Sequence, residues 1–283
     1  MTFPAGAVSG RSEVLAAIGL DGGGFGVVTR ETPFHPLDHT WPDQPADTGL
    51  IVVDEVRHRV VDCLTGAMEE AGSGALLLGT EIPVRRGDEG WDWLVVHVVE
   101  REVAVGEPAD LEVDPDRRRA LSAGHTACHL MALALNAALA PRWRKEARND
   151  GLGRPDFDSL AITSSRIVEG GSLDTYRLGK SLRKKGFTAE GLADDLPALT
   201  EEINGLLAEW LASDAPVRIE VPSPELTARR EWHCSLPDGE VSIPCGGTHV
   251  RRLGELSSAT ATLELSPEGD ELAVETKAVF AGR

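Results

Sequence analysis

Through residue 112 the apolar positions come in short runs of β-forming residues. FGVVTRETPF (25–34), GLIVVDEVRHRVV (49–61), GALLLGTEIPV (74–84) and WDWLVVHVVEREV (91–103) are dense in Val, Ile and Leu and are separated by Gly, Pro and Asp. Runs of this length with no helical period between them predict strands curled into a small β-barrel. The turn-rich GEPADLEVDPDRRR (106–119) joins this part to the next, with Asp114 or Asp116 as the cap of a helix. RRRALSAGHTACHLMALALNAALA (117–140) then repeats apolar residues at three- and four-residue steps up to Pro141, which predicts one long helix. TAEGLADDLPALTEEINGLLAEWLAS (188–213) reads as a second helix that Pro197 can break in two. PVRIEVP, GEVSIPC, ATATLEL and ELAVETKAVF return to strand-like alternation. The expected organisation is an N-terminal β-barrel over 1–112, followed by an α+β domain with an antiparallel sheet over 113–283.

With 41% hydrophobic residues, the 283-residue chain can bury a core without disulfides. Cys63, Cys128, Cys234 and Cys245 form no disulfide framework, and Cys63 and Cys234, without histidine partners at ligand spacing, read as buried thiols. No apolar run is long enough to span a bilayer, and no basic residue precedes the first apolar stretch, so the expected location is the cytoplasm. Forty-six acidic against 28 basic residues give a formal charge of −18, which argues against a general DNA- or RNA-coating surface. The basic residues nevertheless cluster at 117–119, 142–148, 177–185 and 251–252, either as solvated faces or as a basic patch on an acidic body.

HTACH places His125 and His129 four residues apart on the long helix, with both imidazoles on one face. Thr126 stands where a zincin would need its glutamate, which excludes that class. CGGTH supplies a second pair, Cys245 and His249. Three imidazoles and one thiolate suit Zn²⁺ better than Mg²⁺ or Ca²⁺. A four-ligand site is closed and structural; one that releases a ligand admits water and can be hydrolytic, and both readings stay open. The two glycines of CGGTH allow a tight turn that can present backbone N–H groups.

HTACH followed by CGGTHV resembles the HxxxH and CxxxH motifs of the alanyl-tRNA synthetase editing domain and its free-standing relatives, the AlaX proteins. The threonyl-tRNA synthetase editing domain is more distant. TPFHPLDHTWPDQPADTG (32–49) resembles the family's TxFYPxGGGQPxDxG loop, keeping Thr32, Phe34, Pro36, Gln44, Pro45, Asp47 and Gly49. GGTHVRRLGEL resembles its GGTHVxxTGEI run, and the similarity covers most of the chain. The resemblance implies a β-barrel, a zinc-binding editing domain, and hydrolysis of the ester that joins a wrong amino acid to the tRNA 3′ ribose. It implies Gln44 facing the substrate, with Thr126 inside the metal helix as a further catalytic candidate; His35, which departs from the family pattern, is a candidate general base or extra ligand near the metal. Phe34 and Asp47 of the loop and Gly247 and Thr248 of the turn are the candidate substrate contacts, Asp47 read as pinning the loop. Arg177, Arg183, Lys184 and Lys185, with Arg251 and Arg252 beside the metal motif, are candidates for holding the acceptor end.

The loop departs from the family at Trp41, Pro42 and Asp43, where AlaX proteins carry glycines, and His35 replaces a tyrosine. Glycines admit close backbone approach; Trp and Pro fill and stiffen the same space. Three readings follow. The first is a zinc deacylase acting in trans on Ser- or Gly-charged alanine tRNA. The second keeps the chemistry and changes the amino acid to a threonine-like or non-protein one, as in a fluorothreonyl-tRNA deacylase. The third is an inert module that binds tRNA or a synthetase around a structural zinc. His39 reads as a surface group, and His58, His97 and His233 as structural.

Overall fold

The computed structural model of the protein describes residues 1–70 and 74–281. It is a mixed α+β chain of two compact units. The first unit comprises residues 1–119, 219–230 and 245–248, and the second 120–218, 231–244 and 249–283.

The first unit carries strands β1 (Ser9–Gly19), β2 (Phe25–Thr29), β3 (Gly49–Val53), β4 (Val56–Glu69), β5 (Leu77–Leu78), β6 (Trp91–Val99) and β7 (Pro108–Val113). They pair in the order β3-β7-β1-β2-β6-β4-β5, and a further β3–β4 pairing closes six of them into a ring with β5 outside. Alternation fixes which face is buried: along β7, Ala109, Leu111 and Val113 point inward and their neighbours outward. Val14, Val27, Phe34, Ile51, Val60, Cys63, Val99 and Leu111 fill the core. GALLLGTEIPV is a correction to the expected strand. Only Leu77–Leu78 pair, because Gly79 turns left-handed (φ 52°) into a short 3₁₀ turn.

His97 on β6 shows how the segment after β2 is anchored. Its Nδ1 lies 2.8 Å from the Val27 carbonyl and must donate, so Nε2, 2.8 Å away, accepts from the Thr32 hydroxyl. The Thr32 oxygen in turn accepts the Phe34 N–H at 3.0 Å. Burial holds the His97 pKa down to about 4, against a hydrogen bond to Val27 that raises it. Between that value and an unfolded value of about 6.5, the unfolded chain binds the extra proton. His97 therefore contributes stability that is complete above pH 6.5 and drains away toward pH 4, up to roughly 3 kcal/mol. Urea unfolding at pH 4.5 and 7 should show a smaller pH-dependent loss in His97→Gln than in the wild type.

The second unit contains most of α1 (Pro115–Leu139), then α2 (Phe157–Ala161), β8 (Ile162–Val168), β9 (Gly171–Arg177), α3 (Lys180–Lys184) and α4 (Leu192–Ala212). β10 (Val217–Glu220), β11 (Glu231–Leu236), β12 (Gly239–Pro244), β13 (Leu256–Leu265) and β14 (Glu271–Phe280) complete the chain. β13-β14-β9-β8 form an antiparallel sheet, and β10-β11-β12 a smaller one. Asp114 settles the choice of cap for α1 by accepting the N–H groups of Asp116 and Arg117, each at 3.1 Å. Gly124, one residue before His125, lets the helix meet the β8–β9 turn: a Cβ there would lie 2.4 Å from the Gly171 carbonyl. α4 runs unbroken through Pro197. That proline sits in the second turn, where it removes one hydrogen bond, and the buried face of Leu199, Ile203, Leu207 and Trp210 outweighs the loss. Asn204 locks α4 to β13 by exchanging two hydrogen bonds with the Ala261 backbone, at 3.0 and 2.7 Å. Among the described residues, no helix is long and apolar enough to cross a membrane.

Candidate metal centre

Helical spacing brings His125 and His129 to ring centroids 4.9 Å apart. His249 lies 4.4 Å from His125 and 5.1 Å from His129. Trp232 of β11 packs against His129 at 5.2 Å. With Cys245 included, the four ligand atoms all lie within 4.8 Å of one another. His129 Nε2 is buried with no hydrogen-bond partner among the described residues, a lone pair that an ion would satisfy. This group could hold a metal ion, and three imidazoles plus a thiolate fit a borderline-soft one.

The protonation states agree in part. Burial lowers the His125 pKa to about 3, and burial plus the neighbouring His125 hold His129 well below its usual range. Both rings are neutral, and so ready to ligate, at physiological pH. Burial pushes the Cys245 thiol up to about 12; Asp43 adds to that, while the Gly247 N–H and Arg230 oppose it. Metal binding at this sulfur therefore releases a proton.

Thr126 acts on the cluster through His249. Its hydroxyl donates to the Ser122 carbonyl at 2.8 Å, so the 3.2 Å contact with His249 Nδ1 has the imidazole N–H donating to Oγ1. This fixes the tautomer and leaves His249 Nε2 for a metal. The same oxygen accepts the Val250 N–H at 3.2 Å. Thr126→Val should keep the fold and weaken metal binding by about 10-fold, measured by chelator competition.

The loop residues form their own network in the first unit. Gln44 is buried: its Oε1 accepts the Thr248 N–H at 2.9 Å and its Nε2 donates to Thr248 Oγ1 at 3.0 Å. Gln44 Nε2 also lies 3.4 Å from His35 Nδ1. Asp47 is fully buried and pairs with Arg118, whose Nε lies 2.9 Å from Oδ1. Asp47 also accepts the His35 N–H at 2.6 Å, and Arg118 donates to the Pro33 and Ala7 carbonyls at 2.7 and 3.1 Å. Asp47 and Arg118 thus tie 33–35 and 47 to the start of α1.

Other predicted residues occupy different settings. Phe34 is wholly buried, edge-on to His97 at 5.0 Å. Gly247 is buried, with its N–H 3.5 Å from Cys245 Sγ, and the Thr248 N–H is taken by Gln44. Neither Gly246 nor Gly247 has a positive φ, so the glycine pair does not serve a left-handed turn. Arg177, Arg183, Lys184 and Lys185 are exposed at the end of β9 and around α3. Arg251 and Arg252 are exposed too, with Arg252 Nε 2.7 Å from Asp214. His39 is half-buried and stacks on Trp93 at 5.8 Å. Sequence reasoning missed Arg118, Arg230 and Trp232. Arg118 had a signal, since 118, 122, 125 and 129 share one helical face.

No family model matches the chain. Its curated relatives are alanine–tRNA ligases. The enzyme of Nitrobacter winogradskyi is 33% identical over 241 residues, 81% of this chain and 22% of the ligase. That of Cereibacter sphaeroides is 28% identical over 81% and 22%, and that of Halobacterium salinarum 25% over 87% and 22%. The chain is homologous to a segment of alanine–tRNA ligases. It spans about a fifth of the length of these relatives, consistent with an AlaX-like editing domain. In that light HTACH and CGGTHV are the two halves of one candidate metal site.

Proposed function

We propose that the chain is a zinc-dependent aminoacyl-tRNA deacylase that hydrolyses the ester of a mischarged tRNA in trans. The observation that carries this reading is the His125, His129, Cys245 and His249 cluster in a chain homologous to alanine–tRNA ligases. Those four residues would hold the zinc, which when bound supplies Lewis-acid polarisation and a lowered water pKa. Thr126 keeps His249 in the ligating tautomer. Gln44 clamps Thr248, the residue before His249, and so acts as a positioning residue of the ligand turn. The exposed cations around α3 would hold acceptor-end phosphates.

Serine or glycine on alanine tRNA is the first substrate class. A threonine-like amino acid is the second, favoured by the substituted loop. Asp38 fixes that loop by accepting the N–H groups of Thr40 and Trp41 at 2.8 and 3.3 Å. Asp43 brings a carboxyl, pushed up to about 6 by burial, where the family pattern has glycine. A carboxyl at that point offers a partner to a substrate hydroxyl or ammonium that glycine lacks. A deacylation panel decides: alanine tRNA carrying Ser, Gly or Ala, and threonine tRNA carrying Thr or an analogue. Loss of Ser or Gly supports the first substrate; cleavage of the threonine-type ester alone supports the second. Binding of tRNA with every ester left intact would reduce the chain to a tRNA-binding module.

A further inference from the structure

Arg230 is the least satisfied charged group in the described chain. It is 4% exposed, and its Nε and Nη1 are buried with no hydrogen-bond partner among the described residues. Nη2 reaches only the Leu226 carbonyl, at 3.5 Å. The guanidinium carbon lies 5.0 Å from the centroid of the Phe3 ring, a cation–π contact that holds the group but gives its N–H donors no acceptor. A buried cation left this way is costly unless an acceptor completes it. Burial, with Arg86 nearby, lowers the Arg230 pKa only to about 10, so the group stays charged at neutral pH.

The chain beside it leaves room. The Arg230 carbonyl accepts the Cys245 N–H at 3.0 Å, which draws the turn alongside. Gly246 does not need glycine for its backbone, since its φ is not positive. A Cβ at Gly246 would meet one neighbour within 4 Å, Arg230 Nη2 at 3.5 Å. The missing side chain keeps the space next to the guanidinium open.

We propose that Arg230, with the open face of Gly246, is a receptor for a phosphate oxyanion next to Cys245. Resting on the deacylase reading, the group it takes is a phosphodiester near the tRNA 3′ end. An aminoacyl-tRNA carries its negative charge on its phosphates, while the esterified amino acid contributes a cation. An anion compensates a buried guanidinium better than a neutral carbonyl does, and Arg is the side chain whose donors fit phosphate.

The test compares wild type, Arg230→Lys and Arg230→Met by metal content, thermal shift with inorganic phosphate, and binding of an uncharged RNA hairpin ending in CCA. Arg230→Met should raise the Tm of the metal-free protein by about 3 °C or more, because an unpaired buried charge is removed. It should abolish the phosphate-dependent shift and weaken hairpin binding about 10-fold, with the salt slope falling by about 1. Arg230→Lys should retain part of the binding. Phosphate and hairpin binding unchanged in Arg230→Met would overturn the proposal, as would a wild type that binds neither. Loss of metal with phosphate binding intact would also overturn it and assign Arg230 to the Cys245 thiolate. A wild type that binds phosphate through Arg230 but ignores the hairpin would keep the receptor and discard the tRNA reading.

Discussion

Cys245→Ala is expected to lose bound metal and to lower deacylation by about 10³-fold or more, the several kcal/mol of charge stabilisation a catalytic metal provides. The four ligand atoms lie within 4.8 Å of one another, so removing the one sulfur changes both donor count and donor type. Cobalt substitution gives a readout separate from turnover. A thiolate-to-cobalt absorption band should appear in the wild type, survive in His125→Ala at reduced affinity, and be missing in Cys245→Ala. Full activity in a Cys245→Ala protein stripped of metal would remove the metal from the reaction.

Asp47→Asn carries the largest expected effect on stability. It leaves the Arg118 guanidinium buried against the Pro33 and Ala7 carbonyls without its carboxylate partner. Breaking a buried pair from one side costs about 3–5 kcal/mol. Urea unfolding at pH 7 should show that loss. Because Asp47 also accepts the His35 N–H, hydrogen exchange should rise at residue 35 before global unfolding. Replacing both partners, as Asp47→Leu with Arg118→Met, should recover part of the stability, since no lone charge remains. A loss under about 1 kcal/mol in Asp47→Asn would mean that water takes the place of the carboxylate.

Period and spacing carried much of the architecture. α1 was legible because its apolar residues repeat at helical steps over 25 residues, and β12, β13 and β14 because they alternate. β8 and β9 were not, since ITSSRIV buries only Ile167 and GSLDTYR buries Ser172, Asp174 and Tyr176 rather than a plain aliphatic face. Pro197 misled for a local reason: proline early in a helix costs one bond, and long-range packing on β13 decides. At the site, the four candidate ligands were legible because His-x₃-His and Cys-x₃-His spacing suits a metal. The supporting groups were not. Gln44 and Thr248 are 204 residues apart, and Thr126 and His249 are 123 apart, so no local pattern announces either bond. Arg230 looks like any surface arginine in TARREWHC until its burial is seen.

The most direct test of a metal-dependent deacylase is hydrolysis of Ser-charged alanine tRNA and Thr-charged threonine tRNA by the purified protein at known metal content. It is measured as isolated, after chelation, and after zinc is returned. The account predicts hydrolysis of at least one ester that falls with metal content and recovers with one zinc per chain. Hydrolysis that persists in fully stripped protein, or none of either ester at full zinc occupancy, would contradict it.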